Sequence, residues 1–314
     1  MSTLDSSFAE AHPITPRDRD TMLQLRAMIL PNKGKMRGTA ARPFYETIMN
    51  RVAAPEGVAF RADTVGGIAG WWCEPVGARA GAVLLHLHGG WFNWGSAQSF
   101  RHLVGHIAFH AGARAFVPDY RLAPEHPFPA APEDVLACYQ GLLGRGARAI
   151  ALSGDSAGGN LALGLLQQLA QRPPAERPVG TAVLSPVTDL AMTGASWETR
   201  AAADPFFIRE QAEELVRAYL GGRNPRLPMA SPLFGDLAGL PPIRIHVGDD
   251  EVLLDDSLRY AARAIAAGVD LKVDVWEGMP HGFVGNVGRL DAASAALDAI
   301  GIFLSTQFAA GNPA

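Results

Sequence analysis

The stretch Gly154-Asp155-Ser156-Ala157-Gly158-Gly159 constrains this chain more than any other. It follows an apolar run, Ala149-Ile150-Ala151-Leu152, with the length and neighbours of a buried strand. It precedes Asn160 to Gln171, rich in Ala, Leu and small residues, which reads as helix. A Gly-x-Ser-x-Gly between strand and helix is the context of a nucleophile elbow. So tight a turn admits only glycine at positions 154 and 158, and it pushes Ser156 out at the tip of the strand. The backbone N–H of Ala157, at the helix start, then points to where an oxyanion would form. The bland alternative is a Gly/Ser-rich turn without chemistry, and the bare pattern does not separate the two.

A chain of 314 residues suits one large α/β domain with an elaboration, or two domains. Nearly half the residues are apolar, enough for a sizeable core. The net charge of −4 argues against a nucleic-acid or anionic-membrane partner. Cys73 and Cys138 match no metal spacing, and a reduced protein is the simpler reading than a disulfide. Met1 to Glu10 lacks the basic-then-apolar order of a signal peptide, and no run approaches a membrane span in length. The expectation is a cytoplasmic protein.

The first dozen residues read as frayed. Thr15-Pro16-Arg17-Asp18 then resembles a capped helix start, with Met22, Leu25, Met28 and Ile29 at helical spacing. The basic stretch Pro31 to Gly38 has no periodicity and reads as a mobile loop with solvated charges. Val58–Ala62 and Ile68–Pro75 read as an antiparallel pair turned at Gly66-Gly67. Strands follow at Gly81–His88, Ala113–Pro118, Ala149–Leu152 and Thr181–Pro186, separated by helices at Arg101–Gly112 and Pro132–Leu143 and the one after Ser156. Such alternation predicts a doubly wound α/β core. From Thr188 to about Asp236 there is no strand, only a helix carrying Ala212, Leu215, Val216, Tyr219 and Leu220 on one face. The core resumes with strands at Ile243–Gly248 and Leu271–Trp276 and helices at Asp256–Ala267 and Asp291–Phe303.

A serine hydroxyl is a poor nucleophile at neutral pH. It needs a base in reach, and the base needs a group to fix its tautomer. His281 lies in the loop after the last strand, and Asp250, in Gly248-Asp249-Asp250-Glu251, lies just past the strand before it. Both loops leave carboxyl ends of strands, where open α/β sheets place their sites. Asp249 is the neighbouring alternative to Asp250. His88-Gly89-Gly90-Trp91, after the third strand, is placed to supply further oxyanion N–H groups.

Four motifs together resemble the hormonesensitive-lipase-like esterases of the α/β-hydrolase fold: His88-Gly89-Gly90, Asp119-Tyr120-Arg121-Leu122-Ala123-Pro124-Glu125, the elbow at Ser156, and the Asp250 and His281 loops. The resemblance implies an α/β-hydrolase, with a mostly parallel sheet flanked by helices. Residues 51–187 and 237–314 would form the catalytic core, and residues 1–50 and 188–236 a helical cap. It implies a serine carboxylesterase acting on small to medium acyl esters through an acyl-enzyme. Ser156 would be nucleophile, His281 base and acid, and Asp250 orienter. Gly89, Gly90 and Ala157 would form the oxyanion hole. No metal or organic cofactor is implied, and the partners are a small-molecule ester and, in the family, a second copy in a homodimer. At least one of Ala123-Pro124 and Phe128-Pro129 is expected cis. The family's third glycine is replaced by Trp91, which either narrows the acyl side at the mouth or offers its own N–H. Activity on hindered alcohols, attributed to the three-glycine form, is not carried over.

Phe206 and Phe207 are expected to face the pocket from the cap, the alternative being packing within it. His102, His106 and His110 share a helical face without an accompanying acid or thiol, a pattern of core or surface rather than metal ligation. Two other functions stay open on the same fold: an amidase or formamidase with the same triad, and a ligand-binding receptor. Receptors of this kind typically lack the base, whereas His281 is present.

Overall fold

The computed structural model describes residues 8–311. Nine strands form one sheet in the order β1-β9-β8-β7-β6-β4-β5-β3-β2. They are β1 (Ala9–His12), β2 (Val58–Val65), β3 (Ile68–Pro75), β4 (Ala82–Leu87), β5 (Arg114–Pro118), β6 (Ala149–Asp155), β7 (Thr181–Leu184), β8 (Ile243–Gly248) and β9 (Leu271–Trp276). Pairing is parallel except where β3 meets β2 and β5. The helices are α1 (Pro16–Ile29), α2 (Arg42–Met49), α3 (Ala97–Ala111), α4 (Ala130–Gly144), α5 (Ala157–Leu169), α6 (Ser196–Thr199), α7 (Arg209–Leu220), α8 (Leu254–Ala266) and α9 (Asp291–Gly311).

Side chains of a strand alternate between faces, so each central strand feeds two cores. Ala82, Leu84, Ala149 and Ala151 pack with α3 and α9, while Val83, Leu85, Leu87, Ile150 and Leu152 pack with α4, α5 and α8. All six residues of β4 are buried, which is why it reads as a continuous apolar run. Helix α9 is long and apolar enough, by composition, to cross a bilayer, contrary to the sequence reading. Here it packs against α3, burying Ala293, Leu297, Ile300 and Leu304.

Two N-terminal expectations need correction. Residues 9–12 are not frayed: they form β1, in parallel register with Val273–Trp276 of β9, so the 1–50 segment contributes a strand to the core sheet. Residues 1–7 of that segment lie outside the described ones. The stretch from Pro31 to Gly38 is not a free basic loop either. Lys33 Nζ donates to the carbonyls of Ala201 and Asp204, both at 2.5 Å, and Gly34 N donates to Phe206 O at 3.0 Å. Arg37 pairs with Glu214 at 2.6 Å. Three of its charged or amide groups are thus spent on the 188–236 insertion, which consists of α6, α7 and connecting turns.

The Asp119–Pro129 segment is structural. Asp119 Oδ1 accepts from Ala97 N at 2.6 Å at the start of α3, and Arg121 Nε donates to both oxygens of buried Asp134 at 2.9 Å. Both Ala123-Pro124 and Phe128-Pro129 are cis. His102 Nδ1 and His106 Nε2 bond the carbonyls of Val52 and Ala53, and His110 pairs with Asp298, so the histidine stripe fastens a helix.

Candidate active site

Strand β6 lies mid-sheet between β4 and β7 and ends at Asp155. Ser156 then takes φ 56° and ψ −118°, a left-handed conformation that L side chains rarely adopt. Its N–H is held by Leu184 O at 2.8 Å, and α5 starts at the next residue. The flanking glycines are required by close approach. A Cβ on Gly154 would meet Gly158 O at 2.4 Å, and one on Gly158 would meet Leu87 O at 1.9 Å. The elbow is therefore wedged between its own helix and the end of β4.

His281 leaves the loop after β9, and its partner is not Asp250. Its Nδ1 donates to Glu251 Oε2 at 2.8 Å. The other oxygen of Glu251 accepts from Gly248 N at 2.6 Å and Ser185 Oγ at 2.7 Å. Glu251 is fully buried, so its charge is satisfied by three donors, as a buried carboxylate requires. Asp250 turns the other way and binds Arg26 of α1 at 2.5 Å. Arg26 also donates to Ala203 O at 2.5 Å. The physical reason is geometric. The turn after β8 brings residue 251 back over the end of its own strand, where it bonds Gly248 N, whereas residue 250 is fixed outward by its own N–H bond to Met279 O at 3.2 Å. Asp249 accepts from Gly278 N at 2.6 Å and likewise stays off the imidazole.

The electrostatics of His281 combine two opposed effects. Burial pushes the His281 imidazole down. The Glu251 hydrogen bond and the charges of Glu251, Asp204 and Asp155 outweigh this, and the net pKa lies above the ordinary 6.5. A base works only when neutral. An activity that uses His281 as its base should therefore fall as pH drops through that raised value, placing the acid limb of kcat/KM above pH 6.5. A limb at or below the ordinary histidine value, in a pH–rate profile, would contradict this.

The oxyanion side also departs from expectation. The Gly89 N–H is already taken by Asp155 Oδ1 at 2.9 Å, so it is not free for a substrate. The amides of Gly90 and Ala157 are the remaining donors of the expected set. Trp91 is not at an open mouth. It is buried, with φ 53°, and its ring lies edge-on to Phe207 at 5.5 Å and 6.3 Å from Trp197. Phe207 in turn stands edge-on to His281 at 5.0 Å. Phe206 is half-buried beside it and holds the N-terminal arm through its carbonyl. Of the expected pocket residues, Phe207 thus lies next to the imidazole, with Trp91 packed against Phe207. His88 stacks on Tyr120 at 4.2 Å and is kept neutral by burial, and His86 bonds Ser153 at 2.8 Å.

Comparison with known proteins fits this arrangement. Residues 84–285 match the family model described as alpha/beta hydrolase fold. The chain belongs to the α/β-hydrolase fold family. It is 39% identical to an acetyl-hydrolase of Streptomyces hygroscopicus over 79% of this chain and 83% of that one. It is 35% identical to an esterase of Acinetobacter venetianus over 81% and 84%. A crystal structure of an esterase from the bacterial hormone-sensitive lipase family superposes with TM-score 0.85 at 39% identity, over 93% of this chain and 98% of that one. Within the α/β-hydrolases the chain is thus one of the hormone-sensitive-lipase-like esterases, a carboxylic ester hydrolase. The match spans both the elbow at Ser156 and the Glu251–His281 pair.

Proposed function

We propose that this α/β-hydrolase is a serine carboxylesterase whose triad is Ser156, His281 and Glu251. The observation that carries the reading is the fully buried Glu251 carboxylate bonded to His281 Nδ1, in a chain whose serine sits at a strained strand-to-helix turn. With Nδ1 donating to Glu251, the neutral imidazole presents Nε2 as acceptor. His281 takes the Ser156 proton as the hydroxyl attacks the ester carbonyl. The amides of Gly90 and Ala157 receive the oxyanion, each worth roughly 3 kcal/mol of barrier in comparable sites. The imidazolium returns the proton to the departing alcohol, leaving an acyl-serine, and water repeats the sequence to release the acid.

The insertion and the N-terminal arm from α1 onward act together as the cap. The substrates are esters of small to medium acyl chains, because Phe207 stands against the imidazole and Trp91 and Trp197 continue an aromatic cluster from it. The expected result with chromogenic esters of increasing acyl length is peak turnover on short chains. In Trp91→Gly the optimum should move to longer chains, with at least a tenfold gain on the longest, about 1.4 kcal/mol. Peak turnover of the parent enzyme on long-chain emulsions would count against the reading. Cytoplasmic residence and homodimer formation belong to it as well, resting on the two unpaired buried thiols, Cys73 and Cys138, and on the family resemblance respectively.

A further inference from the structure

One buried carboxylate in the insertion has no part in the triad. Asp204 is fully buried, and its three hydrogen bonds join two separate parts of the chain. Oδ1 accepts from Phe206 N at 2.7 Å and Phe207 N at 3.0 Å, which fixes the turn that carries Phe207 onto the His281 ring. Oδ2 accepts from Val252 N at 3.0 Å, the residue directly after Glu251. A single carboxylate therefore clamps the aromatic neighbour of the base to the loop that orients it. From outside, Lys33 and Arg26 hold the same segment through the carbonyls of Ala201, Asp204 and Ala203.

We infer that Asp204 is a positioning residue for His281, locking Phe207 and the Glu251 loop around the imidazole and adding a second negative charge to its surroundings. The inference rests on the proposed triad. The charged groups facing His281 are Glu251 from the loop after β8, Asp204 from the insertion and Asp155 from the end of β6. Lys33 and Arg26 reach the segment through carbonyls rather than through the Asp204 carboxylate. An imidazolium forms in each transition state, so a nearby carboxylate favours it, and removing that charge lowers both the imidazole pKa and the rate.

The test is the pH profile of kcat/KM for p-nitrophenyl acetate hydrolysis by the parent enzyme and Asp204→Asn, with thermal melting alongside. Asn keeps the size but loses the charge and one acceptor. The expected result is a roughly tenfold loss of kcat and an acid limb moved to lower pH, with KM changed much less. Where the Asn variant does not fold, Asp204→Ser, whose hydroxyl accepts one of the three amides, carries the same expectation. An acid limb at the parent position, with any rate loss tracked by lowered melting temperature, would overturn the inference. So would failure of both variants to fold, which would make Asp204 a residue of the fold alone. Ser156→Ala is the control for the triad: if it abolishes turnover while Asp204→Asn leaves the limb unmoved, the triad stands and only the role of Asp204 falls.

Discussion

Glu251→Gln is expected to lower kcat by about ten-thousandfold, the scale seen when a triad acid becomes its amide elsewhere. The glutamine oxygen can still accept from Gly248 N and Ser185 Oγ, which hold Oε1 now. Its NH2 then faces His281 Nδ1 where an acceptor stood. That contact is satisfied only by the tautomer protonated on Nε2, and an Nε2–H cannot take the Ser156 proton. The fold should survive, because size and two hydrogen bonds are kept. Asp250→Asn is the contrasting variant. It weakens an ion pair to Arg26 whose side chains are both partly exposed, worth about 1 kcal/mol or less, so kcat should stay within about threefold of the parent. Steady-state kinetics on one ester, with melting curves for both variants, separates the two acids. A crippled Asp250→Asn beside an active Glu251→Gln would reverse the assignment.

Ser156→Ala is expected to cost about a millionfold in kcat, as removal of a triad serine does in other folds. The elbow conformation is imposed by Gly154, Gly158 and the Leu184 hydrogen bond rather than by the hydroxyl, so the variant should fold with an unchanged melting temperature. What remains is catalysis by the oxyanion amides and by substrate binding. The same variant bears on the receptor alternative. A protein that only bound its ligand would show no serine-dependent turnover, and hydrolysis that persists undiminished in Ser156→Ala would remove the nucleophile from the account. Matched ester and anilide substrates, run on the parent enzyme, separate an esterase from an amidase.

Much of this was legible in the residues, and the exceptions have physical causes. β8 and β9 read with their observed ends because apolar residues recur at every second position, Ile243, Ile245 and Val247 in one and Leu271, Val273 and Val275 in the other. The elbow was legible because its glycines are demanded by contacts under 3 Å. β1 was not, since the alternation in Ala-Glu-Ala-His is only four residues long and carried by alanines, and it becomes a strand by pairing with β9 at the sheet edge. Helix α3 begins four residues before the expected Arg101, because Ser96 and Ser99 close a capping box without the usual Glu or Gln. The acid was missed for a related reason. Asp249, Asp250 and Glu251 are adjacent, and sequence adjacency does not reveal which carboxylate turns inward. The available signal was the apolar run Val252-Leu253-Leu254 directly after Glu251, all buried, which draws that end of the turn into the core. Gly89 was assigned to the oxyanion hole because nothing in one dimension shows that Asp155 reaches its amide. The tethers from Lys33 and Arg26 are likewise tertiary facts, since a basic stretch reads the same whether its charges meet water or carbonyls.

The most direct test of the triad is covalent trapping. A fluorophosphonate probe, followed by digestion and mass spectrometry, should place one adduct per chain on Ser156. Labelling should become far slower in Glu251→Gln and remain at the parent rate in Asp250→Asn. An adduct on another serine, or a labelling rate that depends on Asp250 and not on Glu251, would contradict the triad proposed for this fold.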